Sequence, residues 1–284
     1  MAMVELLTWQ GDADGSRREI RYPNPEVTIV LPVFRNRETL KELYDRLRCV
    51  LESNQVPHEI LFVDDACPYG SLDVLRDLAR IDPRVAVLVL EKNVGQQRAV
   101  MTGLGYARGE VVVVMDADLQ DPPEAILDLM AELRRGPAAV FAGRRGRYEP
   151  PMRLLSSRLF KKLLHLLCGI PTDAGLFVAM SRQMVERLLI CDDPHPFVVG
   201  MIGCTGLPVT SVPVERSERL FGRSTYSSWK RLKIGCLAIA RVSVWKRRKA
   251  RPAPVRRTHD ASVKAYVGAR FTPEKGRALG RGAD

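Results

Sequence analysis

Apolar positions fall in two alternating rhythms through the first half of the chain. Short runs rich in valine occupy Val27 to Leu31, Ile60 to Val63, Val85 to Leu90, Val111 to Met115 and Ala138 to Ala142. Runs of four to six residues, apolar at every position but Thr28, are what parallel strands buried on both faces require. Between them the period lengthens. Leu40, Leu43, Tyr44, Leu47, Val50 and Leu51 recur at three and four residues, one face of an amphipathic helix with Asn36 available as a cap. Ser71 to Arg80, Gly95 to Arg108 and Pro123 to Arg135 continue the alternation. Strand, helix and strand in succession imply right-handed crossovers, hence a doubly wound α/β fold: a mostly parallel sheet with helices on both faces and ligands at the strand C-termini.

Beyond Gly146 the rhythm weakens. A helix over Met152 to Leu167, an extended piece at Leu176 to Met180, a helix at Gln183 to Ile190 and a second extended piece at Val209 to Val214 are expected. Residues 1–25 are polar and read as a loosely attached arm. Trp229 to Lys249 is apolar on one side and basic around it, and 251–284, rich in Gly, Arg and Pro, reads as a disordered tail.

Charge divides the chain more sharply than hydropathy does. Of 284 residues, those from Glu215 onward carry 19 basic against 5 acidic side chains, +14, whereas the first 214 net −3. A near-neutral body with a basic tail points to an anionic partner for the tail, such as phospholipid, polyprenyl phosphate or nucleic acid. Nucleic acid is not expected, because the basic stretch lacks interleaved aromatics and any recognised module. The six cysteines form no C-x-x-C pair, so neither a zinc site nor a disulfide framework is indicated. The first residues lack the basic-then-apolar order of a secretion signal, and Ile234 to Trp245 falls short of the roughly twenty apolar residues that cross a bilayer. These features lead to the expectation of a cytoplasmic protein.

The chemistry concentrates where strands end. Val111 to Val114 run into Met115-Asp116-Ala117-Asp118-Leu119-Gln120-Asp121-Pro122-Pro123-Glu124. Crowded carboxylates at a strand end repel unless a cation lies between them, and two hard oxygen ligands flanking one residue favour Mg²⁺ or Mn²⁺, with a diphosphate completing the shell. Asp121 and Glu124 either join this cluster or start the next helix. Asp64 and Asp65 end the strand at Ile60 to Val63, on the same sheet edge; they either accept hydrogen bonds from a base or ribose, or cap a turn. Asn93-Val94-Gly95 either lets backbone approach a ligand or is a plain strand-to-helix turn.

Taken together, Leu31-Pro32-Val33-Phe34, Phe62-Val63-Asp64-Asp65, Lys92 to Gln96, Asp116 to Glu124, and Glu215 to Arg219 followed by Gly222-Arg223-Ser224-Thr225-Tyr226 resemble the family 2 glycosyltransferases. The likeness covers Glu26 to Lys233 and is nearest the branch of dolichyl-phosphate mannose synthases and undecaprenyl-phosphate glycosyltransferases. It implies a GT-A fold over 26–228, with a donor half at 26–146 and an acceptor half at 147–228; the residue pattern itself adds a basic amphipathic helix at 229–250. It further implies an NDP-sugar donor, a divalent metal and an inverting transfer. By the same resemblance Asp116, Asp118 and Gln120 hold the metal; Asp64, Asp65, Gly95 and backbone beside Pro32 face the nucleotide; and Arg219, Arg223 and Ser224 close over the diphosphate. Arg145, with Arg153 and Ser157 four apart on a helix, matches the arrangement that grips an acceptor phosphate, though Arg153 and Ser157 also fit a solvated basic helix face. Asp173 either orients the acceptor or a catalytic arginine, or is a buried cap.

The chain departs from the branch in several places: the loop between Arg145 and Arg153 is shorter than the branch pattern, and no Glu-Asp base pair stands at the expected depth. Ala66-Cys67-Pro68-Tyr69-Gly70-Ser71 replaces the usual Gly-Ser turn after the acid pair, so the base is not identified. The Q-x-x-R-W motif of processive synthases is absent, which favours a single transfer. The expected activity is transfer of one sugar to a polyprenyl phosphate by an enzyme peripheral at the inner membrane face. Its rival within the family is transfer to a natural-product or lipid-intermediate acceptor. The helix at 229–250 either lies in an anionic headgroup layer or packs on the catalytic domain.

Overall fold

The computed structural model describes residues 25–145, 162–191, 193, 195–216 and 263–267; for 144, 145, 265 and 266 only the backbone is described. The expected alternation is present: β1 (Val27–Val33), α1 (Leu40–Ser53), β2 (His58–Asp64), α2 (Ser71–Ile81), β3 (Val85–Leu90), α3 (Gln96–Tyr106) and β4 (Val111–Val114). A 3₁₀ turn (Pro123–Ala125) then leads into α4 (Ile126–Leu133) and β5 (Ala139–Arg145). Helical residues 162–168 overlap the end of the helix expected over Met152 to Leu167 and run one residue past it, and β6 (Val178–Ser181), α5 (Arg182–Ile190), α6 (Val198–Cys204), β7 (Val209–Glu215) and β8 (Val263–Val267) complete the described chain.

All described strands join one sheet, in the order β7-β5-β6-β4-β1-β2-β3-β8. β1 pairs in parallel with both β2 and β4, β2 with β3, and β5 with β7. β6 runs antiparallel between β4 and β5. Its Val178, Ala179 and Met180 are wholly buried, so the short run serves two neighbours and both faces. The sheet therefore continues across residue 146. α1, α2 and α4 cover one face around Ile29, Phe62 and Val113, while α3, α5 and α6 cover the other around Val30, Leu88 and Phe141.

Two local expectations need correction, and one helix is not expected from the sequence. Asn36 does not cap α1: the helix starts at Leu40, and the Asn36 side chain instead accepts from the Phe34 backbone N–H at 3.1 Å, closing the turn after β1. α6 has no forecast in the sequence rhythm, because its seven residues include two glycines and are too few to show a period. Finally, the tail expected to be disordered contains β8, antiparallel to β3 from Leu90↔Val263 to Val87↔Val267. An unpaired β3 edge leaves a row of backbone donors and acceptors open, and Val263, 7% exposed, is buried by the pairing.

Candidate functional site at the carboxyl edge of the sheet

β1, β2 and β4 are adjacent and parallel, so their carboxyl ends open on one edge and bring Pro32, Asp64, Asp65, Asp116 and Asp118 to it. Pro32 lies within β1 opposite Val63, and Val33 lies opposite Asp64. Asp64 and Asp65 are both 2% exposed. Burial pushes Asp64 up to about 6, although its Oδ1 accepts the Cys67 N–H at 3.4 Å. Asp65 is also pushed up by burial, against two strong backbone donors: Val94 N to Oδ1 at 2.6 Å and Gly95 N to Oδ2 at 2.9 Å. Asn93 Nδ2 donates to the Asp65 carbonyl at 3.2 Å. Asp65 thus shapes the 93–95 turn with both oxygens, and Gly95, at φ 86° and ψ 151°, takes a backbone conformation an L side chain resists.

The Asp116-Ala117-Asp118 turn is held from several sides. Gln96 Nε2, from the start of α3, donates to Asp116 Oδ1 at 2.5 Å, and Thr39 Oγ1 donates to the Ala117 carbonyl at 2.5 Å. Asp118 Oδ1 accepts the Gln120 N–H at 3.2 Å, an Asx turn in which Leu119 adopts φ 59°. Asp121, 2% exposed, is gripped by Arg216 from the end of β7. Burial works to lower the Arg216 pKa, but its hydrogen bonds to Asp121 and the fields of Asp121, Asp116 and Asp118 hold it above the ordinary value. Glu124 belongs elsewhere: it pairs with Arg46 of α1 at the surface.

Among the described residues no group of three or more His, Cys, Asp or Glu side chains gathers to bind a metal. Asp116 and Asp118 nevertheless suit a hard divalent cation that takes its remaining oxygens from a ligand, the manner in which Mg²⁺ is commonly held with substrate phosphates.

Two loops wall the edge beside Asp64. Arg35, at φ 62°, stands 5.4 Å from the Phe34 ring centroid and 4.8 Å from that of Tyr69, and its Nη2 donates to the Tyr69 hydroxyl at 2.7 Å. Its backbone N–H meets Cys67 Sγ at 3.3 Å, which joins the loop after β1 to the loop after β2.

On the other flank, Asp173 accepts from Ser211 Oγ at 3.2 Å and lies so close over Gly143 that a Cβ there would collide with its carboxylate. Asp173 is therefore fixed to the β5–β7 pair and is not a helix cap. Arg145 ends β5 opposite Glu215, on the same sheet edge. Arg153, Ser157, Arg219, Arg223, Ser224 and the stretch 229–250, expected to be a helix, lie outside the described residues. Arg216, Gln96 and Thr39 carry no role in the sequence reading. Arg216 sits within the noticed Glu215 to Arg219 run, but its partner is 95 positions away and no spacing rule connects the two.

Residues 28–189 match the profile of Glycosyl transferase family 2. An uncharacterized glycosyltransferase of Bacillus subtilis (strain 168), YkcC, is 36% identical over 220 residues, 76% of this chain and 67% of that protein. An undecaprenyl-phosphate 4-deoxy-4-formamido-L-arabinose transferase of Pseudomonas fluorescens (strain SBW25) is 33% identical over 212 residues, 74% of this chain, which spans 62% of that enzyme's length. Among solved structures, the Pyrobaculum calidifontis mannosyltransferase in complex with GDP-Man and Mn²⁺ superposes with a TM-score of 0.52 at 23% identity, covering 82% of this chain and 66% of that one. Glucosyl-3-phosphoglycerate synthase of Mycobacterium tuberculosis, in complex with Mn²⁺, UDP and phosphoglyceric acid, gives a TM-score of 0.58 at 18% identity, covering 78% of each chain. These structures share the GT-A fold.

Proposed function

The chain belongs to glycosyl transferase family 2, and from that premise we propose that it moves one sugar from an NDP-sugar to a polyprenyl phosphate, with inversion at the anomeric carbon. The observation that carries this reading is the meeting of two acid pairs, Asp64/Asp65 and Asp116/Asp118, on one sheet edge either side of β1. The Pseudomonas relative, named for transfer to undecaprenyl phosphate, supports the acceptor class.

In this account Asp64, the 93–95 turn shaped by Asp65, and backbone beside Pro32 receive the nucleoside. Asp116, Asp118 and Gln120 would hold Mg²⁺ or Mn²⁺, which when bound would supply neutralisation of the negative charge on the departing diphosphate. Arg219, Arg223 and Ser224 contact the same diphosphate from the basic segment after β7. Arg145, Arg153 and Ser157 grip the acceptor phosphate, and Asp173 orients that side of the site. A phosphate oxygen attacks the anomeric carbon from the face opposite the leaving group; the new C–O bond forms as the bond to the diphosphate breaks, and NDP departs with the electron pair. The acceptor is already anionic near neutral pH, so positioning and charge relief matter more than proton removal, and the site needs no dedicated general base.

No described helix is long and apolar enough to cross a membrane. The basic stretch at 229–250 is proposed to hold the enzyme against anionic lipid at the cytoplasmic face; flotation with anionic vesicles that weakens as salt rises supports this, and failure to float removes it. The transfer itself is tested with labelled NDP-sugars and undecaprenyl phosphate, followed by organic extraction. Label in the organic phase supports the proposal. NDP release with all sugar left in the aqueous phase turns the reading toward a soluble acceptor.

A further inference from the structure

Phe34 and Tyr69 are the exposed aromatic side chains among the described residues, at 38% and 49%, and they are neighbours. Their centroids are 6.5 Å apart and their planes near perpendicular at 82°. Arg35 lies against both rings and fixes the Tyr69 hydroxyl, so the Tyr69 ring keeps its orientation without being buried. Leaving two rings in water forgoes their burial energy, and an exposed aromatic pair rimmed by charge is a usual mark of a binding surface.

The surroundings indicate what binds. The pair sits on the loops that follow β1 and β2, tied together through the Arg35 N–H and Cys67, whose own N–H reaches Asp64. A cleft of about 200 Å³ lined by Arg35, Arg37, Glu38 and Tyr69 opens beside it. Gly70, at φ 73°, turns the chain from Tyr69 into α2, and a Cβ there would press on the Arg37 guanidinium at 3.1 Å. A flat π-system suits this mouth: one face can lie on Tyr69, and Arg35 still has N–H donors beyond the one given to the tyrosine hydroxyl. The loop that supplies Tyr69 is also one of the places where this chain departs from the family pattern.

Resting on the donor reading above, we propose that Tyr69, oriented by Arg35, is the platform on which the nucleobase of the NDP-sugar lies, and that it contributes to nucleotide selectivity. Phosphate binding belongs to other residues, so the two ends of the nucleotide separate experimentally. The full chain is titrated calorimetrically with Mn²⁺ plus UDP, GDP, CDP or dTDP, and with Mn²⁺ plus pyrophosphate. Tyr69→Ala is expected to weaken the preferred NDP roughly 5- to 150-fold, the range for losing one base–aromatic stack, and to leave pyrophosphate affinity unchanged. Tyr69→Phe, which keeps the ring and drops the hydroxyl that Arg35 holds, is expected to retain more NDP affinity than Tyr69→Ala and to lose part of it through the freed ring. An equal loss for NDP and pyrophosphate would make Tyr69 a support for the loop and overturn the proposal, as would unchanged NDP affinity in Tyr69→Ala. If the wild-type chain binds pyrophosphate but no NDP, the donor reading itself fails and the platform falls with it.

Discussion

The Arg216 guanidinium closes as a fork on the Asp121 carboxylate, Nε to Oδ1 at 2.5 Å and Nη2 to Oδ2 at 2.8 Å, and so bolts the end of β7 to the turn that carries Asp116 and Asp118. Asp121 is the third carboxylate in six residues, and its side chain is only 3% exposed. Without the arginine its charge would be buried unmatched among like charges. Arg216→Met is therefore expected to cost about 3–5 kcal/mol of unfolding free energy, the scale for breaking a buried pair from one side. Asp121→Leu added to Arg216→Met should recover most of it, because two apolar partners leave nothing unpaired. Urea denaturation of the wild type and both variants decides it; equal stability of the single and double variants would mean that the pair contributes no coupled charge.

Asp64 gives the fold a pH dependence of known sign. Its buried carboxyl titrates at about 6 in the folded protein, above the ordinary value, so the folded state binds this proton more tightly than the unfolded state does. Its contribution to stability is greatest below about pH 4 and is lost as pH rises through about 6. Asp64→Asn removes the ionisation and keeps an acceptor for the Cys67 N–H. The variant should gain stability relative to wild type at pH 8 and lose that advantage at pH 4, as read from melting temperatures of the ligand-free protein.

Gly95 isolates a backbone effect. No atom lies within 4 Å of a Cβ built there, so Gly95→Ala meets no clash, and its cost is the strain of holding φ at 86°. That strain is of the order of 1–3 kcal/mol. The chain should relieve it by shifting the turn whose N–H groups bind Asp65, lowering nucleotide affinity with little loss of the overall fold. Titration with NDP and Mn²⁺ measures the change.

Removing residues 263–284 takes away β8. The β3 edge would then be open, and the protein is expected to melt earlier and to self-associate more readily, as seen by light scattering on heating. Unchanged melting and scattering would make the pairing incidental.

The order of elements through β5 was legible because Val, Ile and Leu at consecutive positions, as in Val85–Leu90, leave few options other than a strand covered on both faces. The acidic residues were legible for a related reason, since Asp64, Asp65, Asp116 and Asp118 interrupt such runs where the sheet ends. What depends on long-range pairing was not legible. Nothing local to Val178–Ser181 says that it inserts antiparallel between β4 and β5, and Val263–Val267 finds its partner across more than 170 residues. In the sequence the Tyr69 loop is only an irregularity; its contact with Arg35 comes from two strands being neighbours in space.

Asp118→Asn tests the central claim most directly. Losing one negative ligand weakens the hold on the ion that offsets charge on the leaving diphosphate, while the Asn oxygen can still accept the Gln120 N–H and preserve the turn. In the NDP-sugar assay with undecaprenyl phosphate, at saturating Mn²⁺ and with circular dichroism unchanged, the account predicts a fall in transfer of at least about 100-fold. Near-wild-type transfer by this folded variant would contradict it.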